Sequence, residues 1–207
     1  MTKPSTPDLR ILVLGAGGIG GYFGGRLAET GADVTFLVRE GRRKSLLEDG
    51  LRIESLFGNA TLAVKTVTSA QVEPVYDAIL LTCKAYDLDA AVDAIAPAVT
   101  PTGFILPLLN GIAHMESLNR RFGANRVLGG TAKIQAELTP GGAIRQLNDW
   151  RTITFGEQSG AMSDRVERLA ALYAGAKGIE ALAVADIRQR MWEKLVHLAG
   201  CVSFRAC

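Results

Sequence analysis

The feature that most constrains the fold is a short apolar run that ends in a cluster of glycines. Ile11–Leu14 is apolar at all four positions, which predicts a central strand of a parallel sheet, buried on both faces. Gly15-Ala16-Gly17-Gly18-Ile19-Gly20 follows at once and opens a predicted helix, Ile19 to Thr30. A turn of bare backbone at a helix N-terminus is suited to hold a diphosphate. This glycine turn (residues 15–20) predicts a dinucleotide site; the alternative is that its glycines only make the turn tight.

The same alternation of strands and helices continues along the chain. Further strands are predicted at Val34–Val38, Ala78–Thr82 and Phe104–Leu108, and alternating β-branched residues predict a hairpin within residues 51–68. Shorter β segments after residue 126, among them 132–138, are expected to finish the same sheet in antiparallel fashion. Helices are predicted over residues 87–96 and 163–174, and a last one opens at Asp186, a good N-cap.

These elements predict an α/β fold, a Rossmann-type doubly wound and mostly parallel sheet followed by the start of an all-helical second domain. The expected division is a flexible leader over residues 1–9, a dinucleotide-binding domain over 10–185, and the first helix of a second domain over 186–207.

The residue at the end of the second strand indicates which dinucleotide is bound. Sites for NAD place an acidic residue there, roughly 20 residues after the first glycine, to bond the ribose hydroxyl. This chain has Arg39, with Arg42, Arg43 and Lys44 close behind. Guanidinium groups suit a 2′-phosphate, so NADP is the expected cofactor. The alternative is that Arg39 is solvated and Glu40 takes the hydroxyl.

Three polar residues are candidates for the chemistry. Lys84 and Asn110 follow predicted parallel strands, where ligands of open α/β sheets bind, although either could be a solvated turn residue. Lys194 lies within the apolar stripe of the last helix. Its ammonium either reaches water from a packed stem or sits in a partly dry cleft, where a lowered pKa would suit a general acid.

Composition excludes several classes of function. The 23 basic and 21 acidic residues leave a net charge of +2 and no basic run for nucleic acid or an anionic membrane. No apolar stretch reaches the roughly 20 residues that cross a bilayer. Three cysteines and two histidines have no metal-ligand spacing. We expect a cytoplasmic protein with reduced thiols, no metal and a small-molecule partner.

Five segments, in this order, resemble the ketopantoate reductase (2-dehydropantoate 2-reductase) family over nearly the whole chain. They are Gly15–Gly20, Cys83–Ala85, Leu109–Gly111, the stretch from Gly129 to Gly141, and Met191–Lys194.

The resemblance implies a reductase of pantothenate biosynthesis that passes a hydride from NADPH to the ketone carbon of a 2-oxo acid. By this resemblance Lys194 would protonate the developing alkoxide and Asn110 would contact cofactor and substrate. Lys84 would line the same cleft, and the backbone at Ala136 would lie near the cofactor.

Two departures from the family's pattern bear on the substrate and on activity. Where the family has substrate-binding asparagines, four and eight residues after the lysine, this chain has Leu198 and Val202. This departure favours a related protein that acts on another, more apolar oxo acid over one that acts on ketopantoate itself. The family continues into a helical domain, which predicts a truncated form. An uncovered apolar stripe on its last helix would favour a homodimer.

Two other functions compete with this reading. One is a non-catalytic NADPH-binding module, or an inactive remnant, that keeps the glycine turn without a closed substrate site. The other is a lysine-using dehydrogenase of 3-hydroxy acids.

Overall fold

The computed structural model describes residues 9–203, which form twelve strands and six α-helices. The strands are β1 Ile11–Leu14, β2 Val34–Leu37, β3 Leu51–Glu54, β4 Ala60–Leu62, β5 Lys65–Val67, β6 Tyr76–Leu81, β7 Val99–Pro107, β8 Gly129–Lys133, β9 Ala136–Leu138, β10 Ile144–Gln146, β11 Thr152–Gly156 and β12 Glu180–Ala183. The helices are α1 Gly18–Glu29, α2 Glu40–Asp49, α3 Leu88–Ile95, α4 His114–Phe122, α5 Asp164–Tyr173 and α6 Ile187–Ser203.

The main sheet has five parallel strands in the order β5-β2-β1-β6-β7. Successive residues of β1 point into different cores: Ile11 and Val13 pack with α1 on one face, while Leu12 packs with α3 on the other. Burial on both faces explains why β1 and the Ala78–Leu81 part of β6 are apolar. The predicted Rossmann-type doubly wound fold is confirmed.

The prediction that the later strands complete this sheet is wrong. They form two further sheets: a four-stranded one, β4-β3-β10-β9, and a three-stranded one, β12-β11-β8. The predicted segment 132–138 is split between them, because β8 pairs with β11 and β9 pairs with β10. The hairpin predicted within residues 51–68 is present as β3 and β4, but it belongs to the four-stranded sheet.

Glycines on α1 explain where the four-stranded sheet lies. A Cβ at Gly21 would come within 2.7 Å of the Ile144 side chain, and one at Gly25 within 2.7 Å of Leu51. The helix is therefore covered by the main sheet on one side and by the second sheet on the other. This close approach depends on contacts distant in sequence, so the strand pattern alone could not place these strands.

The last helix, α6, packs on the three-stranded sheet. Ile187 and Met191 are buried against β8, where a Cβ at Gly129 would lie 2.8 Å from the Ile187 side chain. Residues 1–8, which include most of the predicted leader, and the side chain of Val202 lie outside the described residues. Within residues 9–203, no helix combines the length and hydropathy needed to cross a bilayer.

Candidate active site

The glycine turn joins β1 to α1 and leaves its inner surface open. Gly15 has φ +91°, which a side chain disfavours. A Cβ at Gly20 would collide with the carbonyl oxygen of Gly15 and the hydroxyl of Thr82, whereas one at Gly17 would meet no atom within 4 Å. Gly20 is thus required for packing, and Gly17 faces free space. The first amides of α1 point from this turn without helical acceptors.

Ala136 lies beside the same turn. A Cβ at Gly18 would collide with the carbonyl oxygen of Ala136, the first residue of β9. The backbone of Ala136 therefore borders the opening of the turn, in the place that the resemblance implied. Ala16 is buried and Ile19 is partly buried in the core beneath the turn.

A pocket of about 560 Å³ adjoins the carboxyl ends of β1 and β2. Its floor includes Leu14 and Leu37, and three alanines of α3 leave room on one side. Arg39 and Glu40 border it. Arg39 is exposed and its side chain makes no hydrogen bond or ion pair within residues 9–203, whereas Glu40 accepts a hydrogen bond from Arg43 at 3.2 Å.

The basic residues that follow Arg39 are not equivalent. Arg43 pairs with Glu40, and Lys44 lies 3.9 Å from Glu48 on an exposed face. Arg42 turns inward: its guanidinium donates to the carbonyl oxygens of Ala16 at 3.1 Å and Gly142 at 3.0 Å. Sequence reasoning missed this link between the glycine turn and the β9–β10 turn, because its acceptors are carbonyls of distant residues.

Lys84 and Asn110 follow neighbouring parallel strands, β6 and β7, and so leave the main sheet at one edge. Both residues are exposed, and neither side chain has a bonded partner in the described part of the chain. Gly111, at φ +82°, turns the chain directly after Asn110. Both side chains are free to contact a ligand over this edge of the sheet.

Lys194 is held on β8 by a specific contact. Its Nζ donates a hydrogen bond of 2.5 Å to the carbonyl oxygen of Ala132, and burial lowers the pKa of Lys194 to about 8. The ammonium is thus fixed in a partly dry position. A Cβ at Gly130, two residues before Ala132, would collide with the carbonyl oxygen of Pro107. Strand β8 therefore lies against the end of β7. The contact between Lys194 and Ala132 is close to the segment that leads from β7 to Asn110.

Residues 11–160 match the family described as ketopantoate reductase PanE/ApbA, which is more than half of the chain. The chain belongs to the ketopantoate reductase family. It is 35% identical over 192 residues to an uncharacterised oxidoreductase, YkpB, of Bacillus subtilis, covering 93% of this chain and 63% of that protein. It is 33% identical to a 2-dehydropantoate 2-reductase of Archaeoglobus fulgidus, covering 90% and 60%.

A solved structure agrees with this assignment. The 2-dehydropantoate 2-reductase of Geobacter metallireducens superposes with a TM-score of 0.82 at 32% identity, covering 91% of this chain and 62% of that one. The chain thus spans about three fifths of the length of these ketopantoate reductase relatives.

Some residues that shape the site carry only weak sequence signals. The carbonyl of Ala132 has none, since any residue supplies one. Thr82, whose hydroxyl donates to the carbonyl of Leu14 at 2.6 Å below the turn, looks like an ordinary strand residue. Gly129 and Gly130 form part of the family resemblance, and the structure explains them by the close approach of α6 and β7. In residues 9–203, no cluster of three or more histidine, cysteine or acidic side chains could bind a metal.

Proposed function

We propose that this protein is an NADPH-dependent reductase of a 2-oxo acid, converting ketopantoate or a related compound to its 2-hydroxy acid. Membership of the ketopantoate reductase family supports the reaction class. The observation that carries the proposal is Lys194, a half-buried ammonium with a pKa of about 8, fixed beside the ligand-binding edge of the main sheet.

The residues of the glycine turn fit a dinucleotide. The open space at Gly17 is where a diphosphate would approach the backbone, and the neighbouring pocket of about 560 Å³ is large enough for an adenosine. In this proposal residues 15–20 hold the diphosphate, Ala136 borders it and Arg39 faces the adenosine side. When bound, the cofactor supplies the hydride.

Lys194 is the proposed general acid. At neutral pH a lysine with a pKa near 8 is mostly protonated, yet gives up its proton more readily than a solvated lysine. A positive charge held in a partly dry site also stabilises an alkoxide as it forms. The hydrogen bond to Ala132 restricts the ammonium, so little reorganisation is needed when the proton moves.

Asn110 and Lys84 are the proposed contacts to cofactor and substrate. An amide can donate to one ligand and accept from another, which suits a residue between two bound molecules. Lys84 adds a positive charge at the same edge, where a 2-oxo acid would bring a carboxylate. Leu198 lies on α6 one turn beyond Lys194 and is partly buried, which favours a substrate with a more apolar chain.

The test is a turnover assay of the purified chain. We expect loss of the reduced-nicotinamide absorbance when NADPH is mixed with ketopantoate or with one of a panel of branched 2-oxo acids. Calorimetry with NADPH and NADH checks binding in parallel. Background turnover with every acid would contradict the proposal.

A second candidate function is a non-catalytic NADPH-binding module. The exposure of Lys84 and Asn110, whose side chains have no bonded partner within residues 9–203, favours it because the substrate side of the site is open. Micromolar NADPH binding without turnover would establish this function instead. Oxidation of a 3-hydroxy acid with NADP would point to the third, less supported activity.

The remaining organisation follows from the same proposal. Residues 10–185 form the dinucleotide domain and α6 begins a helical second domain. We propose a cytoplasmic location, a small-molecule substrate without nucleic acid or membrane partners, and self-association through the exposed face of α6, where Trp192 and Val196 are 54% and 68% exposed.

A further inference from the structure

A buried hydroxyl without a partner lies on strand β8, next to the contact that holds Lys194. The side-chain oxygen of Thr131 is closed to solvent and forms no hydrogen bond within residues 9–203. Thr131 immediately precedes Ala132, whose carbonyl oxygen accepts a hydrogen bond from Nζ of Lys194. Buried polar groups of folded proteins nearly always have partners. The hydroxyl of Thr131 is therefore a candidate for a role in the reaction.

The alternation of side chains along β8 places Thr131 beneath α6. A Cβ at Gly129 would lie 3.3 Å from the sulfur of Met191, on α6, whereas one at Gly130 would meet the end of β7. Successive side chains of a strand point to opposite faces, so Thr131 shares the face of Gly129 and points at α6. Because Met191 and Lys194 both contact β8, Thr131 lies beneath the helix between these two contacts.

The ammonium of Lys194 has donors to spare for this hydroxyl. An ammonium carries three N–H groups. The bond to Ala132 takes one of them, and proton transfer to an alkoxide would take a second. Burial is the cause of the lowered pKa of Lys194, and an uncharged acceptor would favour the charged form again without pairing it with a carboxylate. The flexible stem of a lysine allows its ammonium to reach neighbouring acceptors in turn.

The charged groups on the surrounding elements do not account for such a role. On β8 the Lys133 ammonium lies 4.9 Å from the centre of a tryptophan ring. On α6 Glu193 accepts a hydrogen bond of 2.8 Å from the glutamine one turn earlier, and His197 is exposed. The residues of β7 and β11 include no titratable side chain. None of these groups changes when Thr131 is replaced, so a change in the pKa of Lys194 would report the hydroxyl.

We propose that Thr131 is a positioning residue for proton transfer: its hydroxyl is the second acceptor for the Lys194 ammonium, and with the carbonyl of Ala132 it leaves the third N–H directed at the substrate. In the transfer the N–H bond breaks, the O–H bond of the product forms, and the hydroxyl of Thr131 keeps its own proton. The proposal rests on the proposed function for the reaction, but not for the contact between the two side chains.

The first test is the pH profile of turnover in Thr131→Val, which keeps the shape of the side chain and removes the hydroxyl. The fall in rate at high pH should begin about 0.5 to 1 pH unit lower, since loss of the acceptor destabilises the charged amine. Thr131→Ser should keep the original profile. Thr154→Val, directly opposite on β11 and one strand further from the edge, is the matched control and should also keep it.

An unchanged profile in Thr131→Val would overturn the proposal. A rise in the free energy of unfolding alongside it would identify Thr131 as a packing residue, because removal of a buried unpaired hydroxyl stabilises the folded chain.

A second measurement needs no turnover. The chain is labelled with ¹³C-lysine, and the Cε signal of Lys194, assigned by its absence in Lys194→Arg, is titrated by NMR. The midpoint should lie at about 8 in the unmodified chain and about 0.5 to 1 unit lower in Thr131→Val. If the midpoint moves while no 2-oxo acid is reduced, the proposed function fails and the contact stands. A midpoint that does not move overturns the proposal even if the chain is an active reductase.

Discussion

The two halves of the candidate site differ in how completely the chain builds them. On the dinucleotide side, the glycine turn is fixed from below by Thr82, from the side by Ala136 and from α2 by Arg42. On the reaction side, the contacts within residues 9–203 are few: Lys194 donates to Ala132, and Asn110 and Lys84 are exposed and have no side-chain partner there. The comparison teaches that the surroundings of the glycine turn are held by contacts from several elements, while the proposed chemistry depends on a few side chains around an open edge.

The largest effect is expected on the reaction side, at Lys194. Lys194→Met keeps the stem of the side chain and removes the proton donor, so turnover of the 2-oxo acid should fall about 10²- to 10⁴-fold. NADPH affinity by calorimetry should stay within about twofold, since the ammonium is bonded to Ala132 and not to the turn. A comparable loss of NADPH affinity would show that the two halves are not separable.

The pH dependence of turnover tests the same lysine without a mutation. The pKa of Lys194 is lowered to about 8, so the ammonium is charged below that pH and loses its proton above it. The rate of reduction should therefore be level at neutral pH and fall as the pH rises past about 8. A rate that stays level well above pH 9 would exclude Lys194 as the proton donor; that limit is roughly one unit above the pKa.

On the dinucleotide side, two neighbouring glycines should respond in opposite ways. Gly20→Ala places a methyl group against the backbone of Gly15, so we expect a loss of about 3 kcal/mol or more in the free energy of unfolding. Gly17→Ala meets no atom and should cost less than about 1 kcal/mol, while weakening NADPH about 10-fold or more by occupying the diphosphate's space. Denaturant titration and calorimetry measure the two effects. Equal destabilisation by both variants would contradict the open space at Gly17.

The sequence predicts some strands of the fold and not others. Continuous apolar runs predicted β1 and β6 because a buried parallel strand needs no polar face. The three-residue strand β5, Lys65–Val67, gave no such signal. The sheet that contains β9 packs against glycines of α1, and the sheet that contains β8 packs against α6 through a glycine of β8. No local sequence pattern encodes these contacts.

The candidate site divides in the same way. The glycine turn and the stripe around Lys194 are local patterns, so sequence reasoning identified them. The contacts of Arg42 and Arg52 with the β9–β10 turn were missed, because their acceptor carbonyls, at Gly142 and Gly141, lie 100 and 89 residues away in the chain. The positive charge of the two arginines is visible in the sequence. However, several basic residues lie in this region, and only the fold shows which of them have acidic partners.

His114, the first residue of α4, tests the segment that follows Asn110. It is 5% exposed, its Nε2 has no hydrogen-bond partner among the described residues, and burial lowers its pKa to about 4 from 6.5. The unfolded chain therefore binds a proton that the folded chain refuses, and stability should fall as the pH drops through 6.5 toward 4. Between pH 7 and 5 this amounts to about 2 kcal/mol.

Denaturant unfolding of His114→Phe against the unmodified chain isolates this contribution. The variant should lose about 2 kcal/mol less than the unmodified chain over that interval. His197→Gln, at the only other histidine in the sequence, is the control and should leave the difference unchanged. Identical acid sensitivity in His114→Phe and the unmodified chain would show that the imidazole is solvated. Solvent would then reach deeper into the reaction side than the burial of α4 indicates.

The smallest effect is expected at Arg39, on the rim of the dinucleotide side. Arg39 is exposed and its side chain has no bonded partner within residues 9–203, whereas Arg42 is bonded to Ala16. A phosphate contact at Arg39 therefore has to order the side chain first. Arg39→Ala should weaken NADPH by roughly 1 kcal/mol, at the low end of charged hydrogen bonds, and leave NADH unchanged. Arg43→Ala, whose guanidinium pairs with Glu40, is the matched control. Equal losses of NADPH affinity in Arg39→Ala and Arg43→Ala, measured by the same calorimetry, would show that Arg39 makes no specific contact with the phosphate. The assignment of the rim of the pocket to phosphate recognition would then be wrong.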